Sequence, residues 1–258
     1  SNGGFMHEGA WSTVLGIRGI PASSEEVMVA RDLLLAEATG ARLHIAHVST
    51  AGSVRLIRDA KRRGIRVTAE VTPQHLVLTD EAVQGFDANF KMNPPLRSAS
   101  DVEAVREGLI DGTIDAIATD HAPHAPEEKA VEFDAAPFGV IGLETALGVI
   151  WTEFVQTGML SPTEVIRKMS TMPASILKVP GASLQPGAPA DLVMIDPDLK
   201  WTVDASAFAS KSRNTPFQGW SLTGKAVMTI LGGQITYDEL TESGARGPEP
   251  EPLTVRMR

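Results

Sequence analysis

Hydrophobic and polar positions alternate along this chain in two periods, and the switches between them mark its elements. Val27, Val29, Leu33, Leu34 and Ala38 recur at helical spacing up to Gly40, and Ser23-x-x-Glu26 ahead of them has the form of a capping box. The short apolar run 43–48 follows and is the length of a buried strand. A second helix is predicted from about 53 to 63, ended by Gly64, a residue suited to the left-handed position after a helix. Segment 65–71 (IRVTAEV) is rich in β-branched residues and predicts a second strand. A helix over 100–109, with Val102, Val105 and Leu109 on one side, precedes a third strand at 116–119. A long loop runs from Asp120 to about Gly139, and an apolar helix is predicted near 143–155. Ser161-Pro162, an N-cap followed by proline at the first helical position, opens one more helix.

Strand and helix patterns that alternate in this way imply parallel strands joined by crossover helices, an α/β architecture. Beyond Pro180 the texture changes. Pro186-Gly187, 191–196 (DLVMID) and 225–237 (KAVMTILGGQITY) predict short strands and turns. The chain therefore divides into an α/β unit at 1–180, a small β-rich unit at 181–246 and a loose Gly-, Pro- and Glu-rich tail at 247–258.

Composition narrows the function classes. With 258 residues, 43% of them hydrophobic, the chain can bury one sizeable core and a smaller satellite. No run of about 18 apolar residues is present, so no helical membrane span is expected. The formal charge of −9, without a basic block, argues against nucleic acid or an anionic membrane as partner. Cysteine is absent, which removes thiolate ligands and nucleophiles and fits a reducing, cytoplasmic setting. Ser1-Asn2-Gly3-Gly4 has no charged and apolar leader regions and no initiator Met, so the expectation is that the start lies upstream and that no signal peptide is present.

The chemistry-bearing residues gather at predicted strand ends, where parallel α/β folds place their sites. In His44-Ile45-Ala46-His47 the two histidines have opposite strand parity, so the two are not expected to share one site. His47 is nearer the strand's C-terminal end and is the candidate metal ligand; the plainer alternative is a core histidine bonded to a carbonyl. Asp120 follows the third strand, where a carboxylate can bind a metal or move a proton, or simply cap a helix. His121 and His124 follow it in a loop too long to be a mere connector. In Asn93-Pro94-Pro95-Leu96-Arg97 the prolines would hold an amide and a guanidinium in fixed directions, suited to imide or carboxylate groups, unless the segment is a solvent-facing turn. His75 is expected to be structural, and the spacing of His7 says nothing.

Taken together, HIAHVST at 44–50, EVTPQHL at 70–76, NPPLR at 93–97, ATDHAPH at 118–124, PFG at 137–139, GLETAL at 142–147, PGAPADLVMID at 186–196 and SRNTPFQG at 212–219 resemble the class I dihydroorotases of the amidohydrolase superfamily. The resemblance implies the C-terminal part of a metal-dependent (β/α)8 TIM barrel, with strands like the sixth to eighth, plus a small β-rich domain. It implies a zinc-dependent cyclic amidohydrolase with two zinc ions per complete site, interconverting N-carbamoyl-L-aspartate and (S)-dihydroorotate in pyrimidine synthesis. By the same resemblance His47 and Asp120 are metal ligands, and Asp120 is also the catalytic base and acid. Asn93, His124, Phe138 and Gly139 match substrate-contacting positions.

The His-x-His pair, the bridging carboxylate and the fifth-strand histidine of that family have no counterpart here, so the chain alone is expected to be inactive. Gln74 stands where relatives usually have histidine, with little effect expected. The neighbouring readings are an allantoinase- or dihydropyrimidinase-like enzyme on the same barrel, and a non-catalytic partner of aspartate carbamoyltransferase. His124 and Asn93 favour the dihydroorotase pattern, and the retention of His47 and Asp120 favours an enzyme. A small-molecule substrate is implied, with a second copy of the chain or aspartate carbamoyltransferase as candidate protein partners.

Overall fold

A computed structural model describes residues 3–242; the expected tail at 247–258 lies outside the described residues. Two short strands, β1 (Met6–His7) and β2 (Gly19–Ile20), pair in parallel around helix α1 (Ala10–Leu15). Helix α2 (Ser23–Thr39) follows and stops where Gly40 turns left-handed at φ 66°. The expected capping box does not form. Ala22 is the N-cap, Ser23 lies inside the helix, and the first-turn carboxylate of Glu25 reaches away to accept from the Ser49 and Thr50 amides. The buried stripe is Val29, Leu33 and Ala36, whereas Val27 and Leu34, members of the same apolar pattern, are 64% and 61% exposed.

The chain then alternates strand and helix as its patterns require. Strand β3 (Leu43–Ile45) leads to α3 (Ala51–Arg62), capped by the Thr50 hydroxyl accepting from the Ser53 amide. Strand β4 (Val67–Val71) is followed by the short α4 (Pro73–Val77), and α5 (Ala99–Ile110), capped by Ser98, leads into β5 (Ala116–Ile117). The three strands form one parallel sheet in the order β3-β4-β5, with His44 beside Thr68 and Glu70 beside Ala116. One face is dry: Leu43, Ile45, Val67, Ala69, Val71 and Ile117 pack with Ile57, Val105, Leu109 and Phe154. The period-two alternation puts His44, Thr68 and Glu70 on the other face.

Helix α6 (Pro126–Lys129) lies within the long loop, and an isolated parallel bridge from His121 to Val140 draws the loop's two ends together. Helix α7 (Ala146–Ile150) widens into a π-type turn at Trp151–Val155, and α8 (Pro162–Ile166) starts with the expected cap. There the Glu164 amide donates to the Ser161 hydroxyl and the Ser161 amide donates to the Glu164 carboxylate. Helix α9 (Met172–Leu177) completes this part.

Strands β6 (Leu192–Thr202), β7 (Ser221–Leu231) and β8 (Gln234–Asp238) form an antiparallel sheet with β7 in the middle. The first two are 11 residues each, longer than the short strands expected, because β6 continues past Pro197 through a register break between Asp196 and Lys200. Leu222 of β7 joins Val149, Val203, Phe217, Met92 and Leu96 in a second core. Gly224 there has φ 83° and sits against the Trp151 ring, 2.5 Å from where a Cβ would be. A short helix, α10 (Glu239–Glu242), ends the described chain.

Candidate active site

The candidate residues sit beyond the C-terminal ends of β3, β4 and β5. Two of them stand in unusual backbone geometry: His47 has φ 54° and Asp120 has φ 47°. Left-handed backbone at a non-glycine residue costs on the order of 1 kcal/mol or more and persists only where the surroundings enforce it. The surroundings do so here. Immediately after His47 the Val48 amide bonds the Glu70 carbonyl at 2.9 Å, and the Ser49 and Thr50 amides are held by Glu25. Before Asp120, the Ala118 amide bonds the Val71 carbonyl at 3.0 Å and Gln74 donates to the Thr119 carbonyl at 3.4 Å. Gln74 thus ties the end of β4 to the residue preceding Asp120.

The left-handed turn overturns the parity argument for the two histidines. β3 ends at Ile45, and the reversal at His47 swings its ring to the side that His44 faces. Both rings meet Glu70: His44 Nε2 is 3.1 Å from Glu70 Oε2, and His47 Nδ1 is 3.0 Å from Glu70 Oε1. The second contact has ion-pair distance but poor hydrogen-bond alignment. Burial alone would push the Glu70 carboxyl up; the close contacts and charge of His44 and His47 outweigh it and bring it down to about 2. Glu70 in turn raises the His47 imidazole above the ordinary histidine value, against the effect of burial and with help from Asp120.

His47 Nε2 lies 3.5 Å from Asp120 Oδ1. That is long for a hydrogen bond and right for two donors of one cation, since tetrahedral ligands about 2.0–2.2 Å from zinc lie about 3.3–3.5 Å apart. An imidazole nitrogen and a carboxylate oxygen are also the donor types zinc takes. The pair therefore fits part of a zinc site. Among the described residues, no group of three or more histidine and acidic side chains is arranged to hold a metal, so these two ligands are not a whole cage by themselves.

Asn93 is exposed and lines a cavity of about 360 Å³ with His44, His47, Glu25 and Asp32. His124 belongs to a neighbouring cavity of about 310 Å³, with Asn214 and Lys129. His124 Nε2 contacts the Phe138 carbonyl at 2.9 Å, which fixes the ring against the far arm of the long loop. The Gly139 amide donates to the Lys91 carbonyl, and its own carbonyl accepts from Lys129 and Asn214. Gly139 has φ 127°, and a Cβ there would stand 2.6 Å from the Ala122 side chain, so only glycine lets the loop arms close.

Arg97 lines the same cavity as Asn93 and His47 but is not in a solvent-facing turn. It is 2% exposed, and its guanidinium donates to Ser49 Oγ and the Ile20 carbonyl and lies 3.8 Å from Glu25. His7 Nδ1 sits 3.2 Å from the same guanidinium. Arg97 is thus the clamp that joins the N-terminal strands to the loop after His47. His75 is structural, as expected: buried, 2.6 Å from the Thr72 hydroxyl and 2.8 Å from the Pro94 carbonyl, it braces the turn that presents Asn93. Glu70 is the residue at this site that sequence reasoning missed. Its signal was a lone carboxylate inside a β-branched strand, on the parity of Thr68, where a half-buried acid demands partners.

The amidohydrolase family model matches residues 17–236. The chain is 64% identical to a dihydroorotase of Pelotomaculum thermopropionicum and 58% identical to one of Syntrophus aciditrophicus, each over 93% of this chain and 56% of that protein. It spans little more than half the length of these curated relatives. Among solved structures it is similar to the L-hydantoinase (dihydropyrimidinase) from Arthrobacter aurescens, at TM-score 0.79 and 34% identity over 83% of this chain and 49% of that one. The dihydropyrimidinase from Brevibacillus agri gives TM-score 0.80 at 26% identity over 85% of this chain and 50% of that one. With a family match across most of its length, and a parallel α/β sheet that brings His47 and Asp120 together at its C-terminal edge, the chain belongs to the amidohydrolase family.

Proposed function

We propose that this chain is the C-terminal half of a zinc-dependent dihydroorotase that interconverts N-carbamoyl-L-aspartate and dihydroorotate, working in the cytoplasm. In this reading β3, β4 and β5 are the sixth to eighth strands of a (β/α)8 barrel, and residues 181–246 are its small β-rich domain. The observation that carries the site is the His47–Asp120 pair, 3.5 Å apart at neighbouring strand ends. The choice of substrate rests on the relatives, which are dihydroorotases at 52–64% identity, against 25–34% for the hydantoinase and dihydropyrimidinase structures.

His47 and Asp120 would hold zinc together with ligands from the N-terminal half. When bound, two zinc ions would supply Lewis-acid polarisation of the cyclic amide carbonyl and a water acidified toward a pKa of about 7. Asp120 is 31% exposed and has His47 as its sole ion-pair partner among the described residues, which leaves its second oxygen free to take a proton and return it to the leaving nitrogen. Asn93, His124 and the Phe138-Gly139 segment would orient the substrate's imide and carboxylate groups.

β3 and β5 are the edge strands of their sheet, and Val27, Met28, Leu34 and Leu35 of α2 are exposed. These are the surfaces an N-terminal half would cover, so the chain alone is expected to self-associate and to be inactive. A second copy or aspartate carbamoyltransferase would then be the partner of the completed enzyme. The test joins this chain to the N-terminal half its relatives carry, loads it with zinc, and assays dihydroorotate, hydantoin and allantoin side by side. Dihydroorotate should be hydrolysed fastest. Preference for hydantoin or allantoin would overturn the substrate assignment, and zinc-loaded protein without turnover would replace the enzyme with a structural partner.

A further inference from the structure

The polar face of the sheet carries Thr68, His44 and Glu70, which the amidohydrolase chemistry above does not use, in one connected line with His47. Thr68 Oγ1 lies 2.8 Å from His44 Nδ1, His44 Nε2 lies 3.1 Å from Glu70 Oε2, and Glu70 Oε1 lies 3.0 Å from His47 Nδ1. The line ends where His47 Nε2 faces Asp120. We propose that Glu70 is a positioning residue for His47, fixing which ring nitrogen carries the proton and aiming the other at Asp120. The proposal rests on the reading of His47 as a metal ligand.

The argument is one of donors and acceptors. A carboxylate accepts hydrogen bonds and donates none, so the His44 nitrogen bonded to Glu70 carries its proton. For His47 the contact has ion-pair distance without hydrogen-bond alignment. A lone pair on Nδ1 3.0 Å from a carboxylate oxygen would still be repelled, which favours the proton on Nδ1 and leaves the Nε2 lone pair turned toward Asp120. Two acceptors 3.5 Å apart repel unless a cation, or a proton on the ring, lies between them. A carboxylate behind a histidine is also the common means of fixing tautomer and raising ligand basicity at metal sites.

Glu70 is itself prevented from turning away. Its far oxygen is taken by His44, and the His44 ring is held from behind by the Thr68 hydroxyl. His44 sits beside Thr68 in the β3–β4 register, so the backbone pairing aligns the first link before any side chain chooses a rotamer. The competing explanation is a plain staple: Glu70 would tie β3 to β4 through His44 and only brush His47. The two differ in what they require of the His47 ring.

The experiment uses the full-length protein, this chain joined to the N-terminal half. Nitrogen NMR on histidine-labelled, metal-free protein reads the His47 tautomer, assigned with His47→Gln. Chelator competition reads zinc affinity, and thermal melting reads the fold. We expect the wild type to carry the proton on Nδ1. Glu70→Gln, which can accept from one imidazole but not from both, should lose that preference and weaken zinc binding about 10- to 100-fold. Thr68→Val, two links back, should give a smaller loss in the same direction. A wild-type His47 protonated at Nε2 alone would overturn the proposal even if Glu70→Gln failed to fold. So would a well-folded Glu70→Gln with the wild-type tautomer and zinc affinity within twofold. The ligand reading fails separately, if His47→Gln binds as much zinc as the wild type.

Discussion

The two faces of the β3–β4–β5 sheet are built from alternate residues of the same strands, yet they obey different rules. On one, Ile45, Val67, Ala69 and Val71 are buried with Ile57, Leu109 and Phe154 in an apolar cluster. On the other, His44, Thr68 and Glu70 satisfy one another and remain partly open, with side-chain exposures of 30% for His44 and 18% for Glu70. The dry face is completed by helices within this chain. The polar face is arranged side chain by side chain but left open, and its chemistry needs ligands this chain does not bring together. The difference shows that a strand can encode stability and chemistry independently, since period two separates the two sets of residues.

The comparison makes predictions of falling size. Asp120→Ala in the full-length enzyme should lower turnover by several orders of magnitude with little change in melting, because a proton shuttle and a metal ligand go together. A loss of tenfold or less would show that the polar side of the sheet does not carry the chemistry. On the dry side the balance reverses. Phe154→Ala, at a position with no solvent exposure, should cost about 3–5 kcal/mol in denaturant unfolding while leaving zinc stoichiometry in the surviving folded fraction unchanged. A cost under about 1 kcal/mol would mean that the helices pack on this face far less tightly than the burial implies.

A third test concerns the brace beneath the site. Burial holds His75 down to about 4, against the pull of the Pro94 carbonyl. A histidine whose folded value lies below its unfolded value binds fewer protons when folded, so stability falls as pH drops from about 6.5 to about 4. The full difference is roughly 3 kcal/mol, complete only below the folded value. The pH dependence of unfolding should therefore be shallower for His75→Gln than for the wild type across that window. Equal slopes would show that His75 takes up its proton while folded.

Much of this organisation was legible in the sequence, and the failures have physical causes. The three strands, the cap at Ser161 and the stop at Gly40 follow from local chemistry that tertiary structure leaves alone. His47 and Asp120 were singled out because strand ends and motif context coincide there, and the fold brings their side chains within 3.5 Å. The parity rule failed at His47 because it assumes extended backbone, and one left-handed residue cancels it. Arg97 stayed open in the sequence because a buried guanidinium and a solvent-facing one look alike there; only the convergence of Ser49, Ile20 and Glu25 tells them apart. The Ser23 box failed because the helix begins one residue earlier, with Ala22 as its cap, so Ser23 lies inside the first turn and not at the cap position.

The two left-handed backbones have a consequence for how such a site can change over generations. At φ 54° and 47° the main chain admits glycine, asparagine and aspartate most readily and penalises β-branched residues heavily. Position 120 is occupied by a residue that its backbone favours, so an aspartate-to-asparagine exchange there would silence the chemistry without a conformational cost. Position 47 is alike, because asparagine and aspartate are each one base change from histidine and fit the same left-handed backbone. A lineage losing activity would therefore be expected to keep its fold while exchanging polar residues at these two positions.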